Sequence, residues 1–175
     1  MWKRLIHPNI VPLLGVTPTP LQLVSEWMTG GSLAEYIKKN PDTNRLGLVG
    51  IPLVVFTTRL PRCQSSDIAK GLCYLHSCNV IHGDLKGVRG CFNSSFATAL
   101  TCVQPNILVD AAGHARITDF CLATVTTGIG SELNTLCQHD HTTRWTAPEV
   151  LNEGPDSKKA DVFSFAMVMV EVRHG

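Results

Sequence analysis

A mixed α+β chain, with strands at the front and helices behind them, is what this sequence predicts. Two apolar runs, 10–16 and 21–27, flank a Thr-Pro-Thr-Pro turn, which is the pattern of an antiparallel hairpin. Further on, Ile68, Leu72 and Leu75 recur at helical spacing. Residues 161–172 are apolar on nearly every side, which marks a buried helix.

The elements follow in order. After the hairpin, Gly30-Gly31-Ser32 punctuates the chain, and Ser32 is placed to cap a helix running through Lys39. The helix carrying Ile68, Leu72 and Leu75 leads to Asn79 and a strand-like Val80-Ile81. Cys73 and Cys78, five apart and near one helical face, are expected to pack in the core. Asp161 is expected to cap the last helix. Two stretches fit nothing around them. Val49–Gln64 holds two prolines and a glycine where a helix should approach, and Val88–Gln104 is a second interruption.

Composition narrows the functional classes. A hydrophobic fraction of 44% is ordinary for a globular chain, and a net charge of +1 gives no basis for a nucleic-acid or anionic-membrane partner. The longest apolar run, Leu46 to Phe56, is too short to cross a bilayer and contains Pro52, so no membrane insertion is expected. Seven cysteines, an odd number, include no Cys-x-x-Cys pair, and no signal segment opens the chain. Reduced thiols and a cytoplasmic location are the expectation. Asn93-Ser94-Ser95 fits a glycosylation sequon, which without secretion is a chance match. Cys137, His139 and His141 alternate without a second Cys/His pair nearby, and are read as loop residues, not as a zinc site.

Four short motifs carry the chemistry: His82-Gly83-Asp84-Leu85-Lys86, Asn106-Ile107-Leu108-Val109, Asp119-Phe120-Cys121 and Ala147-Pro148-Glu149. In this order, with Leu5–Ile10 and Val24–Met28 ahead of them, they resemble the catalytic half of a protein kinase. Gly31-Ser32-Leu33 and Arg144–Glu149 are similar to the tyrosine-kinase-like group, while Lys86 resembles the serine/threonine-directed catalytic loop. Asn106 lies 22 residues after Asp84, whereas five is usual in the family; removing the 17 residues Val88–Gln104 restores five. Both interrupting stretches begin with Val and end with Gln, whose codons can supply the boundary signals of an intron, so both are read as insertions.

The resemblance implies a truncated two-lobed α+β kinase fold. Residues 1–28 would be the end of the small lobe and the hinge, and 29–175 the large lobe to its central helix, with insertions at 49–64 and 88–104. It implies ATP-dependent phosphoryl transfer to Ser/Thr hydroxyls of proteins, with Tyr as the lesser possibility, and ATP and Mg²⁺ as the small-molecule partners. Glu26 and Met28 of the hinge and the apolar Leu108 would hold adenine, with Ser25 as a small gatekeeper. Asp84 would accept the hydroxyl proton, and Lys86 would face the phosphate. Asn106 and Asp119 would hold the metal, whose hardness calls for oxygen ligands. His82, Phe120, Glu149 and Asp161 would be structural. The sequence departs from the family at Gly83, where Arg is usual, and at Cys121, where Gly is usual. It holds no Gly-x-Gly-x-x-Gly and no Val-Ala-Ile-Lys-like strand, so this chain by itself is expected to be weakly active or inactive. A non-catalytic pseudokinase that binds a partner protein is the alternative.

Overall fold

In the computed structural model, residues 2–41, 67–87, 105–119, 124–125 and 143–174 are described. The hairpin forms as β1 (Leu13–Pro18) and β2 (Leu21–Ser25), antiparallel, with an irregularity between Leu13 and Gly15. Its bounds are narrower than the apolar runs because Pro12, lacking an N–H, interrupts the first one. The carbonyl of Pro12 instead accepts from Glu26 N at 3.2 Å. Ile10 and Val11, which the hairpin reading included, turn to another partner. Ile10 bridges Ile117 in parallel, and Val11 N donates to Ile117 O at 2.9 Å. Leu14, Val16, Leu23 and Val24 of the hairpin remain exposed.

A second sheet joins distant parts of the sequence. The short β3 (Gly31–Ser32) pairs with β5 (Ile107–Val109), which pairs with β6 (Ala115–Ile117), all antiparallel. Alternation sends Ile107 and Val109 into the core and leaves Leu108 half-exposed. Asp110 closes the turn between β5 and β6: its Oδ1 accepts from the N–H groups of Ala112 and His114, both at 2.9 Å, and its Oδ2 pairs with Arg116. Burial pushes this carboxyl up, but those hydrogen bonds and the guanidinium outweigh it and hold the group below its ordinary value.

The helices are α1 (Leu33–Lys39), α2 (Asp67–Ser77), α3 (Pro148–Leu151) and α4 (Lys158–His174). α1 starts where Ser32 predicts, with a capping box in which Ser32 Oγ accepts from Glu35 N while Glu35 reaches back to Ser32 N. On α2, Ile68, Leu72 and Leu75 form one buried face against β6. β4 (Val80–Ile81) pairs with β7 (Thr124–Val125). The main core runs from Leu5 and Ile10 through Ile68, Leu85 and Ile117 to Val168 and Val172, and Ala147, Val150 and Ala160 form a smaller second cluster where α3 meets α4. Among the described residues, no helix is long and apolar enough to cross a membrane.

Three expectations need correcting. Cys73 and Cys78 are exposed, because the buried face of α2 is taken by Ile68, Leu72 and Leu75. Asp161 does not cap α4. That helix begins three residues earlier, at Lys158, and Ser157 Oγ accepts from Ala160 N at 3.0 Å. Nor is α4 buried all round: Ser164, Val168 and Val172 face inward while Val162, Phe163 and Val170 are exposed. Both interrupting stretches, together with Phe120, Cys121 and the 137–141 group, lie outside the described residues.

Candidate active site

The loop after β4 carries the first acid. Gly83 sits at φ +79°, a left-handed conformation that glycine tolerates without strain. Asp161, buried on the first turn of α4, braces this turn from below. Its Oδ2 accepts from His82 N and its Oδ1 from Gly83 N, both at 2.9 Å, and His76 Nε2 donates to Oδ2 at 2.7 Å. His82 is completely buried and works in both directions. Its Nδ1 accepts from Asp84 N at 3.2 Å, which leaves Nε2 to carry the proton donated to Thr118 O at 3.0 Å. The imidazole therefore ties the loop of Asp84 to the strand end that leads into Asp119.

Above this platform three predicted residues meet. Lys86 Nζ donates to Asp84 Oδ2 at 2.7 Å, and Asn106 Nδ2 reaches the same oxygen at 3.2 Å and also the carbonyl of Asp84. The backbone repeats the link, since Asn106 N donates to Lys86 O and Thr118 N to Asn106 O, each at 3.0 Å. Asp119 follows directly, exposed and at φ +61°. A non-glycine residue held there is strained, and such strain concentrates at functional positions. Asn106 is buried, and its Oδ1 is the one buried side-chain oxygen or nitrogen without a hydrogen-bond partner among the described residues. An orphaned carbonyl oxygen and, thirteen residues on, an exposed carboxylate are oxygen donors of the kind a hard cation takes. The residues present thus fit the metal that the sequence implies.

The residues expected from the sequence to hold adenine lie toward the other end of the β3–β5 pair. Gly30 N donates to Val109 O and Gly31 N to Met28 O, at 2.9 and 3.1 Å, so the segment after the hinge is fastened to the strand of Leu108. Leu108 stands opposite Ser32, a half-exposed apolar side chain. Met28 is buried, Glu26 is exposed, and Ser25 pairs with Leu13 at the end of the hairpin. Glu149, on the first turn of α3, is exposed, and its carbonyl accepts from Gly154 N at 2.9 Å.

A cleft opens beside Asp84, walled by Gly83, Leu85, Trp145, Thr146 and Ala147, with Ser164 behind. Sequence reasoning singled out Arg144–Glu149 only as a family motif and missed Glu171 and Ser164, which fix this wall from α4. Trp145 is buried, its Nε1 donates to Glu171 Oε2 at 2.8 Å, and Ser164 Oγ donates to its carbonyl at 2.6 Å. Arg144 pairs with the other oxygen of Glu171 at 3.3 Å. Burial pushes the Glu171 carboxyl above its ordinary value, against the hydrogen bond from Trp145 and the charge of Arg144. Nothing local in the sequence links residues 26 positions apart.

The sequence model described as protein tyrosine and serine/threonine kinase matches residues 1–99 and 100–175, two pieces that meet inside the stretch Val88–Gln104. Among individual proteins, the chain is similar to serine/threonine-protein kinase STY46 of Arabidopsis thaliana, 31% identical over 175 residues, covering 99% of this chain and 25% of that protein. It is likewise 31% identical to serine/threonine-protein kinase CTR1 of Arabidopsis thaliana, over 97% of this chain and 18% of that protein. A probable serine/threonine-protein kinase of Dictyostelium discoideum, drkC, is 34% identical, over 97% of this chain and 19% of its own length. The chain thus spans a quarter or less of these curated relatives.

Proposed function

The chain belongs to the protein tyrosine and serine/threonine kinase family, and we propose that its Asp84 site supports phosphoryl transfer from ATP to a hydroxyl of a protein substrate, Ser or Thr by preference. The observation that carries this reading is the convergence of Asp84, Lys86 and Asn106 within hydrogen-bond distance, over a platform built by His82 and Asp161. Phosphoryl transfer needs little covalent help from the protein, so positioning and charge are what a site must supply.

In this reading the roles follow those of protein kinases in general. The Asp84 carboxylate takes the proton of the acceptor hydroxyl as its oxygen bonds to the γ-phosphorus and the bond to ADP breaks. Lys86, one side chain away, supplies positive charge to the transferring group. Asn106 Oδ1 and the Asp119 carboxylate would hold Mg²⁺, which, when bound, neutralises phosphate charge. Glu26, Met28 and Leu108 would receive adenine. The domain bounds belong to the same proposal: hinge and end of the small lobe over 1–28, large lobe over 29–175. The exposed, unpaired thiols of Cys73 and Cys78 support a reducing, cytoplasmic setting.

The test is transfer of radiolabelled γ-phosphate to a protein acceptor with Mg²⁺, comparing the chain with an Asp84→Asn variant. Slow incorporation is expected, lost in the variant, while Mg·ATP binding measured by calorimetry stays within twofold. Equal incorporation by both would refute the role of Asp84. Binding of Mg·ATP without any incorporation by the parent would favour a non-catalytic binding module.

A further inference from the structure

The hairpin is a sheet on its own. Among the described residues, β1 and β2 pair only with each other, so each strand has one long edge left open. The two edges differ. β1 follows Pro12, ends in Pro18 and is irregular between Leu13 and Gly15, and prolines and bulges are what spoil an edge for a further strand. β2, from Leu21 to Ser25, contains no proline and no such irregularity. It also carries no charge. No Asp, Glu, Lys or Arg stands between Ile10 and Ser25, so no lysine guards the edge, and two copies can meet there without repulsion. Its apolar side chains are uncovered. Val16 and Leu23 are cross-strand partners, and together with Leu14 and Val24 they are between 42% and 62% exposed. Gly15, the partner of Val24, has nothing within 4 Å of the place a Cβ would take, so the other face of the hairpin is bare at that point too.

We propose that β2 is a self-association edge, pairing antiparallel with β2 of a second copy of this chain about a two-fold axis at Leu23. The product is a four-stranded sheet with the two β1 strands outside. In that register Leu23 lies opposite Leu23 of the other copy, Gln22 opposite Val24, and Leu21 opposite Ser25. The Val16–Leu23 pair of one molecule then continues into that of the other, and a single apolar strip crosses the sheet. A second copy suits this edge better than a charged peptide, because every side chain along it is neutral. Growth stops at two, since the edges left outside are the proline-bearing ones. With a strand of five residues on each side, the contact falls well short of the ~1,600 Å² of a standard interface. The dimer therefore forms at high concentration and comes apart on dilution.

Sedimentation velocity of the expressed chain over a roughly hundredfold range of concentration should show monomer passing into dimer and nothing larger. Amide exchange at the two ends of that range locates the contact. Exchange across 21–25 should slow by about threefold or more at the high concentration, while α2 keeps its rate. Leu23→Lys sets two like charges face to face at the axis and should leave the chain monomeric throughout, with an unchanged far-UV spectrum. Leu14→Lys, on β1 and away from the pairing edge, should still dimerise. A parent that stays monomeric, slowed amides that lie elsewhere, or growth into polymers overturns the proposal. So does loss of the dimer in Leu14→Lys as well as in Leu23→Lys, which is the signature of two hairpins stacked face to face. Slow exchange across 21–25 at every concentration also overturns it, because a segment of the same chain then covers β2. Should Leu23→Lys lose its far-UV spectrum, the exchange measurement on the parent decides alone. None of these outcomes depends on phosphate transfer, so the proposed function stands or falls separately.

Discussion

Removing the carboxylate of Asp161 should cost more than any other single polar change in the platform. The residue is 2% exposed, and its two oxygens accept from His82 N, Gly83 N and His76 Nε2. Asp161→Ala strands two backbone N–H groups, that of His82 buried and that of Gly83 half-buried. It also frees a turn that sits at positive φ. A buried donor left unsatisfied costs about 1–3 kcal/mol, so the two together amount to about 2–6 kcal/mol. That is a large share of the ~5–15 kcal/mol by which domains are stable. At about 2–4 °C per kcal/mol for a chain of this size, the melting temperature should fall by roughly 5–20 °C. Asp161→Asn keeps one carbonyl acceptor and should lose about half as much. Thermal melts followed by far-UV circular dichroism give the answer. An Ala variant melting within about 2 °C of the parent would show that the carboxylate is not the brace.

Other outcomes follow from single features. Ser32→Ala removes the Oγ half of the capping box while keeping the backbone N–H that Glu35 accepts from, and should destabilise the chain by about 1 kcal/mol, readable in urea titration as a lower midpoint with an unchanged slope. The Asp110 carboxyl is held below its ordinary value, so its contribution to stability is fully present above the unfolded-state value. It is lost as pH falls through the folded-state value. An Asp110→Asn chain should show a flatter acid limb in a stability-versus-pH series, and an identical limb would refute the assignment. Deleting 49–64 and 88–104 together should raise the melting temperature and the soluble yield of the expressed chain. A deletion that lowers both would show the stretches to be part of the fold.

What could be read from the sequence was local. The Ser-x-x-Glu pattern at 32–35 is a hydrogen-bonding device complete within four residues, and the structure forms it as written. The face of Ile68, Leu72 and Leu75 needs only helical periodicity. Family motifs placed Asp84, Lys86 and Asn106 in one site, although the contact between Asp84 and Asn106 spans 22 residues. Where partners are distant and no motif speaks, the reading failed. Asp161 looks like a helix cap because Asp before an apolar run usually is one. Its actual partners, His82 and Gly83, are 79 and 78 residues away. Cys73 and Cys78 are assigned to the core from their spacing near one helical face, which cannot say which side of an amphipathic helix wins. Glu171 carries no signal at all until α4 is laid against the Trp145 turn.

The parallel bridge between Ile10 and Ile117 bears on how the chain is made. Asn9 Nδ2 donates to Ala115 O across a separation of 106 residues, and Asn9 O accepts from Ile117 N. Ile10 and Val11, 1% and 0% exposed in the folded chain, have no β6 partner until residue 117 has left the ribosome. Synthesis therefore runs through two thirds of the sequence with that apolar edge unprotected, a window in which a chaperone is useful and premature association is a hazard. Extra length inside the loop hardly alters the equilibrium. The stretches 49–64 and 88–104, 16 and 17 residues long, add only about 0.3 kcal/mol of closure entropy. Their burden falls on time: every added residue prolongs the interval before Ile10 and Val11 can dock.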